Sequence, residues 1–166
     1  IVVAGALISG AALRVAQRDR PPALSGLWEL PGGKVATGET DAEALARELH
    51  EELGVEVAVG ARLGADVALS ETMPLRAYLV SLTAGSPQPH DHRALRWVGA
   101  DELVRLAWVP ADRAWVSALT DALRGPNDPE YGQFRYLRVA NYSSIRAIAF
   151  VRKLTRVSNS GGFLGG

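Results

Sequence analysis

"RELHEELG", Arg47 to Gly54, places three glutamates within five positions and a glycine two residues after the last of them. Read as a helix, Glu48, Glu51 and Glu52 stand at i, i+3 and i+4 and share one face. Like charges at that spacing repel by about 0.2–0.5 kcal/mol per pair, so either water around a solvated face or a bound cation must offset them. Upstream, Thr40 followed by Glu43 forms a capping box, and Asp41 suits the positive end of the helix. Gly54 supplies the stop. Ala42, Leu45, Ala46, Leu49 and Leu53 fall on the side expected to bury, with the glutamate face pointing well away from it.

Moving outward, "IVVAGALIS" and "ALRVAQR" read as two strands joined by a tight turn at Gly10. "PPALSGLWELPGGK" is a loop broken by proline and glycine, with a short apolar segment at Leu27–Leu30. After the helix, "VEVAVG", "ADVALS", "LRAYLVSL" and "LRWVG" read as further strands, which puts Tyr78 and Trp97 in the core. "PADRAWVSALTDALRG" reads as a closing helix begun by Pro110 and ended by Gly125. Strands mixed with two or three helices argue for an α/β sandwich with helices against a mixed sheet.

The chain has 166 residues, 48% of them apolar, which suits one globular domain and excludes disorder as the main state. No apolar run reaches the roughly 18 residues a membrane span needs, and the apolar opening, without a basic leader, reads as strand rather than signal peptide. Cysteine is absent, which excludes disulfides and thiolate metal sites and is compatible with a cytoplasmic home. Residues 1–130 hold 12 basic and 18 acidic side chains, whereas residues 131–166 hold six basic and none acidic. With the turn-rich "RGPNDPEYG" at the junction, the chain divides into a compact domain at 1–125 and a linker with a basic, flexible tail at 126–166. Six charges in so long a tail do not argue for nucleic acid or membrane as a partner.

Grouped carboxylates suit a hard divalent cation such as Mg²⁺, which takes oxygen ligands and bridges to substrate phosphates. For Glu48, Glu51 and Glu52 alone, a solvated acidic face is the better explanation of the pattern. The wider context decides. From Gly33 the chain runs "GKVATGETDAEALARELHEELGV": glycine, five residues, Glu39, seven residues, then Arg47-Glu48-Leu49-x-Glu51-Glu52-x-Gly54-Val55. This resembles the Nudix box at every defined position, and with "LWELPGGK" leading in, the likeness covers about 1–125 and looks closest to the MutT-like branch.

The resemblance implies a Nudix-type α/β/α sandwich and hydrolysis of a nucleoside triphosphate to monophosphate and pyrophosphate with Mg²⁺, or Mn²⁺ in its place. Glu48, Glu51 and Glu52 would hold the metal, joined by the backbone carbonyl of Gly32. Glu39 and Arg47 would form an ion pair fixing the loop to the helix, and Lys34 would meet phosphate oxygens. The proton acceptor would be Glu48 or Asp91, the latter one methylene shorter than the glutamate common there; His90 and His92 beside it read as polar loop residues. Arg18, Leu30 and Asp112 would line the base pocket, with Trp28 as its wall or as core. Asp112 stands where MutT has asparagine; ionised, it would accept from the cytosine N4 amino group. Asp112 also suits a helix N-cap or first turn. The surrounding residues look like the members that hydrolyse (d)CTP, 5-methyl-dCTP among the candidates, with 8-oxo-dGTP as the alternative. Members acting on diadenosine polyphosphates, ADP-ribose, NADH or coenzyme A carry further motifs not found here. A non-catalytic binding module is disfavoured by the intact box. Monomer and homodimer both remain open.

Overall fold

The computed structural model describes residues 1–125; the expected linker and basic tail at 126–166 lie outside the described residues. β1 (Val2–Ser9) and β2 (Ala12–Gln17) form the hairpin that turns at Gly10. The broken stretch after it holds a 3-10 turn at Pro22–Leu24 and two short strands, β3 (Trp28–Glu29) and β4 (Gly32–Lys34). Next come α1 (Asp41–Leu53), β5 (Glu56–Arg62), β6 (Val67–Ser70), β7 (Met73–Ala84) and β8 (Ala94–Gly99). α2 (Ala100–Leu103), a 3-10 turn at Asp112–Trp115 and α3 (Val116–Arg124) complete the described chain.

The strands form one sheet with the central order β3-β2-β1-β7-β5, while β8 pairs with β2, β4 with β1 and β6 with β7. β1 and β7 run parallel and the other pairs antiparallel, so the sheet is mixed as expected. Successive residues of a strand face opposite sides. Val3 and Leu7 of β1 therefore join Leu45, Leu49 and Leu53 of α1 in one core, and Ala4 and Ala6 join Trp115, Leu119 and Leu123 in the other. Helices cover both faces: an α/β/α sandwich.

α1 has the cap and stop read from sequence, with the Thr40 hydroxyl accepting from the Glu43 N–H and Gly54 in the left-handed conformation. Its rotation differs. Ala42 is exposed and Ala44 is buried in its place. The cause is Asp41, whose carboxylate accepts from the Tyr78 hydroxyl at 2.6 Å and from Arg76 at 3.0 Å, turning that side of the first turn toward β7. The row that faces the sheet is thus 41, 44, 45, 48, 49, 52 and 53. Glu48 and Glu52 stand at the edge of the buried stripe rather than well away from it, and Glu51 alone of the three is exposed.

Two further expectations change. The closing helix does not begin at Pro110, because Asp112 spends its carboxylate on Leu30 and caps nothing, and because the Trp115 indole donates to the Ala65 carbonyl at 2.9 Å. These anchors draw the first turn into 3-10 geometry. Trp97 is not core: on β8 it is exposed, with the Arg14 guanidinium 4.8 Å from its ring centroid. Tyr78 is partly buried through its bond to Asp41.

Leu49 is fully buried between α1 and the sheet. Leu49→Ala should lower the unfolding free energy in urea by about 2–5 kcal/mol. Ala42→Ser, at the exposed position, should change it by less than about 0.5 kcal/mol. Equal effects at the two positions would contradict the observed rotation of α1.

Candidate active site

β4 brings the two glycines against both β1 and α1. A Cβ on Gly32 would lie 2.1 Å from the Val3 carbonyl oxygen, and one on Gly33 would lie 2.2 Å from the carboxyl carbon of Glu48. At Gly32, whose neighbour is backbone, so close an approach requires glycine, whereas at Gly33 it is the Glu48 side chain that fills the space. The Gly32 N–H donates to Glu52 Oε2 at 3.0 Å. The stretch between β4 and the helix is held by Arg47. Its Nε and Nη2 donate to the two oxygens of Glu39 at 2.7 and 2.9 Å, Nη2 also to the Lys34 carbonyl at 3.1 Å, and Nη1 to Glu48 Oε1 at 2.9 Å. Nη1 lies 3.6 Å from Glu51 Oε1. One planar fork thus ties the loop to the helix and orients the glutamates.

The electrostatics follow from these contacts. Arg47's hydrogen bonds hold the Glu39 carboxyl down to about 2, helped by the Ala36 N–H, and Glu39 and Glu48 in turn raise the Arg47 guanidinium. Burial pushes Glu52 up to about 7, against the lowering effects of His92 and the Gly32 N–H. A buried carboxylate stays charged at neutral pH when a positive charge stands beside it.

A divalent cation is such a charge. Among the described residues no three acidic or histidine side chains converge closely enough to hold one as they stand. Glu48 is engaged by Arg47, Glu52 by Gly32, and Glu51 is 58% exposed. The donors on offer, three carboxylates and the Gly32 carbonyl, are all oxygen and fit a hard ion. When bound, such an ion supplies charge that neutralises phosphate oxygens and lowers the pKa of a coordinated water.

A second group of residues gathers at β3. The Trp28 N–H donates to the Ala107 carbonyl, and the Val109 N–H donates to the Trp28 carbonyl, each at 2.8 Å, which brings the segment before Asp112 alongside. Asp112 is 4% exposed and accepts from the Leu30 N–H at 2.7 Å. Burial pushes its carboxyl up to about 7. Arg18 arrives from the end of β2, donating from Nη1 to Glu29 at 2.6 Å and from Nε to the Arg20 carbonyl at 3.0 Å. Arg18, Leu30 and Asp112 therefore meet at one place, although Arg18 is engaged with Glu29. Trp28 packs against the core of the α3 side. Lys34 is exposed.

Asp91 is exposed and makes no hydrogen bond or ion pair among the described residues. Its loop is pinned to the end of α1, where the Gln88 N–H donates to the Leu53 carbonyl at 2.9 Å and the His90 N–H to the Glu52 carbonyl at 3.0 Å. The inward position is taken by His92 instead, 5% exposed, with Nε2 3.0 Å from Glu29 Oε1. His90 is exposed and places Nδ1 3.1 Å from the Glu51 carbonyl. Sequence reading missed Glu29 and the inward turn of His92. The available signal was a glutamate inside the apolar segment Leu27–Leu30.

The NUDIX domain model matches residues 2–119. A Mycobacterium tuberculosis protein with the provisional name 8-oxo-dGTP diphosphatase 2 is 60% identical over 128 residues, covering 75% of this chain and 91% of that one. The CTP pyrophosphohydrolase of Escherichia coli is 36% identical over 113 residues, covering 67% of this chain and 84% of that one. Among solved structures, the Escherichia coli ORF135 protein superposes with a TM-score of 0.64 at 32% identity, covering 77% of this chain and 92% of its own.

Alanine at the two glycines should separate folding from chemistry. The added methyl of Gly33→Ala meets a side-chain carboxylate that can swing away, so this variant should keep its melting temperature within a few degrees and lose at least about 100-fold in kcat. Gly32→Ala meets the backbone of β1 and should unfold at clearly lower temperature. Full activity in Gly33→Ala would contradict the placement of Glu48.

Proposed function

We propose, starting from the fact that this chain belongs to the Nudix family and is a MutT-like nucleotide pyrophosphohydrolase, that its preferred substrate is 8-oxo-dGTP, hydrolysed to the monophosphate and pyrophosphate. The cofactor is Mg²⁺, held by Glu48, Glu51, Glu52 and the Gly32 carbonyl, with Mn²⁺ able to replace it. The role is removal of oxidised nucleotide from the cytoplasmic pool.

The observation that carries the choice of base is the state of Asp112. It is buried, one oxygen is occupied by the Leu30 N–H, and its carboxyl is pushed up to about 7. Below that pH it is neutral and offers an O–H donor as well as an acceptor, the capacity of an amide. Such a group can donate to the O6 of an oxidised guanine. Above that pH it is ionised, repels O6, and accepts from the cytosine N4 amino group. Identity of 60% to a relative named for 8-oxo-dGTP, against 36% to one named for CTP, supports the guanine reading. Hydrolysis of (d)CTP or 5-methyl-dCTP is the second reading, favoured by the ionised form of Asp112.

Within the reaction, Arg47 and Glu39 hold the loop, and the exposed Lys34 meets phosphate oxygens. Glu48 is assigned the water's proton rather than Asp91. The support is position: Glu48 lies against Gly33 at the head of the site, whereas Asp91 has no tie to it.

The test is a comparison of kcat/KM for 8-oxo-dGTP, dGTP, dCTP and 5-methyl-dCTP with Mg²⁺ from pH 6 to 8.5. The 8-oxo-dGTP to dCTP ratio should be at least about tenfold at pH 6.5 and should fall as pH rises through about 7. Asp112→Asn should flatten that dependence. A preference for dCTP throughout, or a ratio independent of pH in the parent chain, would overturn the assignment.

A further inference from the structure

We propose that His92 is a positioning residue for nucleotide binding, acting through Glu29, which it and Arg18 hold between the phosphate side and the base side of the site. The inference rests on the reading of the chain as a nucleotide hydrolase. Glu29 is 14% exposed at its side chain and has both oxygens engaged, Oε2 by Arg18 at 2.6 Å and Oε1 by His92 at 3.0 Å. Its charge is felt at two carboxyls, Glu52 on the phosphate side and Asp112 on the base side, and raises both. A carboxylate in that place stands between two groups of its own sign. Without opposing donors it would turn away from them.

His92 supplies one of those donors at a cost. The ring is buried, and Nδ1 has no hydrogen-bond partner among the described residues. The Glu29 carboxylate can only accept, which places the hydrogen on Nε2. His92 is thus a single-purpose donor aimed at Glu29. Because His92 lies on the loop pinned to the end of α1 and Glu29 on β3, the bond also ties the loop before β8 to the strand that carries Leu30.

The amide of glutamine can stand in for Nε2, and that of asparagine for Nδ1, so the two substitutions separate the atoms. With 8-oxo-dGTP and with dCTP, His92→Ala should raise KM about tenfold and change kcat by less than about threefold. His92→Gln should return KM to within about threefold of the parent chain, His92→Asn should resemble His92→Ala, and Glu29→Gln combined with His92→Ala should be no worse than the worse single variant. ¹⁵N spectra of the ring should show the hydrogen on Nε2 in the parent chain. Failure of glutamine to restore KM, additive losses in the double variant, or a ring with no hydrogen on Nε2 would each overturn the proposal. Should the parent chain hydrolyse neither nucleotide, the substrate reading fails, while the ring spectrum still decides whether His92 donates to Glu29.

Discussion

The guanidinium of Arg47 is the joint on which the site depends. It spends two bonds on Glu39, one on the Lys34 carbonyl and one on Glu48, and so converts a loop of glycine and short polar residues into a fixed wall beside α1. Without that fork the stretch from Gly32 to Glu39 would be fastened by backbone pairing of β4 to β1 and by the Ala36–Glu39 bond. Glu48 and Glu51 would then lose the cation beside them, and only Glu52 would keep a partner, the Gly32 N–H. The crowding of negative charge in "RELHEELG" is tolerable because a cation of the chain already stands in its midst and because the remaining oxygen donors suit a metal.

Two carboxyls in the site, Glu52 and Asp112, are pushed by burial to about 7, and they do different work. Glu52 borders the α1 stripe and faces Gly32, so its ionisation belongs with the arrival of positive charge at the phosphate end. Asp112 accepts from the Leu30 N–H, and its burial raises the carboxyl against the lowering effect of that bond and of Arg18. The charge of Glu29 on β3 raises both carboxyls, which under the proposed function would couple the phosphate end of the site to the base end. Backbone pairing brings the elements together, with β3 joining β2 on one side and the segment before Asp112 on the other, and side-chain bonds then fix the groups.

Much of this was legible in the sequence because the signals are local. The Thr40–Glu43 cap, the Gly54 stop and the spacing of the box fix α1 and the residues around it. The rotation of α1 was not legible, since it is set by Asp41 reaching Tyr78 and Arg76, more than thirty residues away. For the same reason the start of the closing helix was misplaced: Asp112 looks like a capping residue until Leu30 claims it. Asp91 and His92 show the limit most clearly. The resemblance offered Asp91 beside Glu48 as the base, and the pinned loop turns its neighbour His92 inward and leaves Asp91 exposed.

The most direct test of the account replaces Arg47 by lysine, which keeps the charge and removes the fork. Steady-state hydrolysis of 8-oxo-dGTP would be measured beside the melting temperature and the Mg²⁺ dependence. Arg47→Lys should lose at least about 100-fold in kcat, depend less on Mg²⁺, and melt within a few degrees of the parent chain. A lysine variant within about threefold of the parent in kcat would show that charge alone suffices and would contradict the central role given to the Arg47 fork.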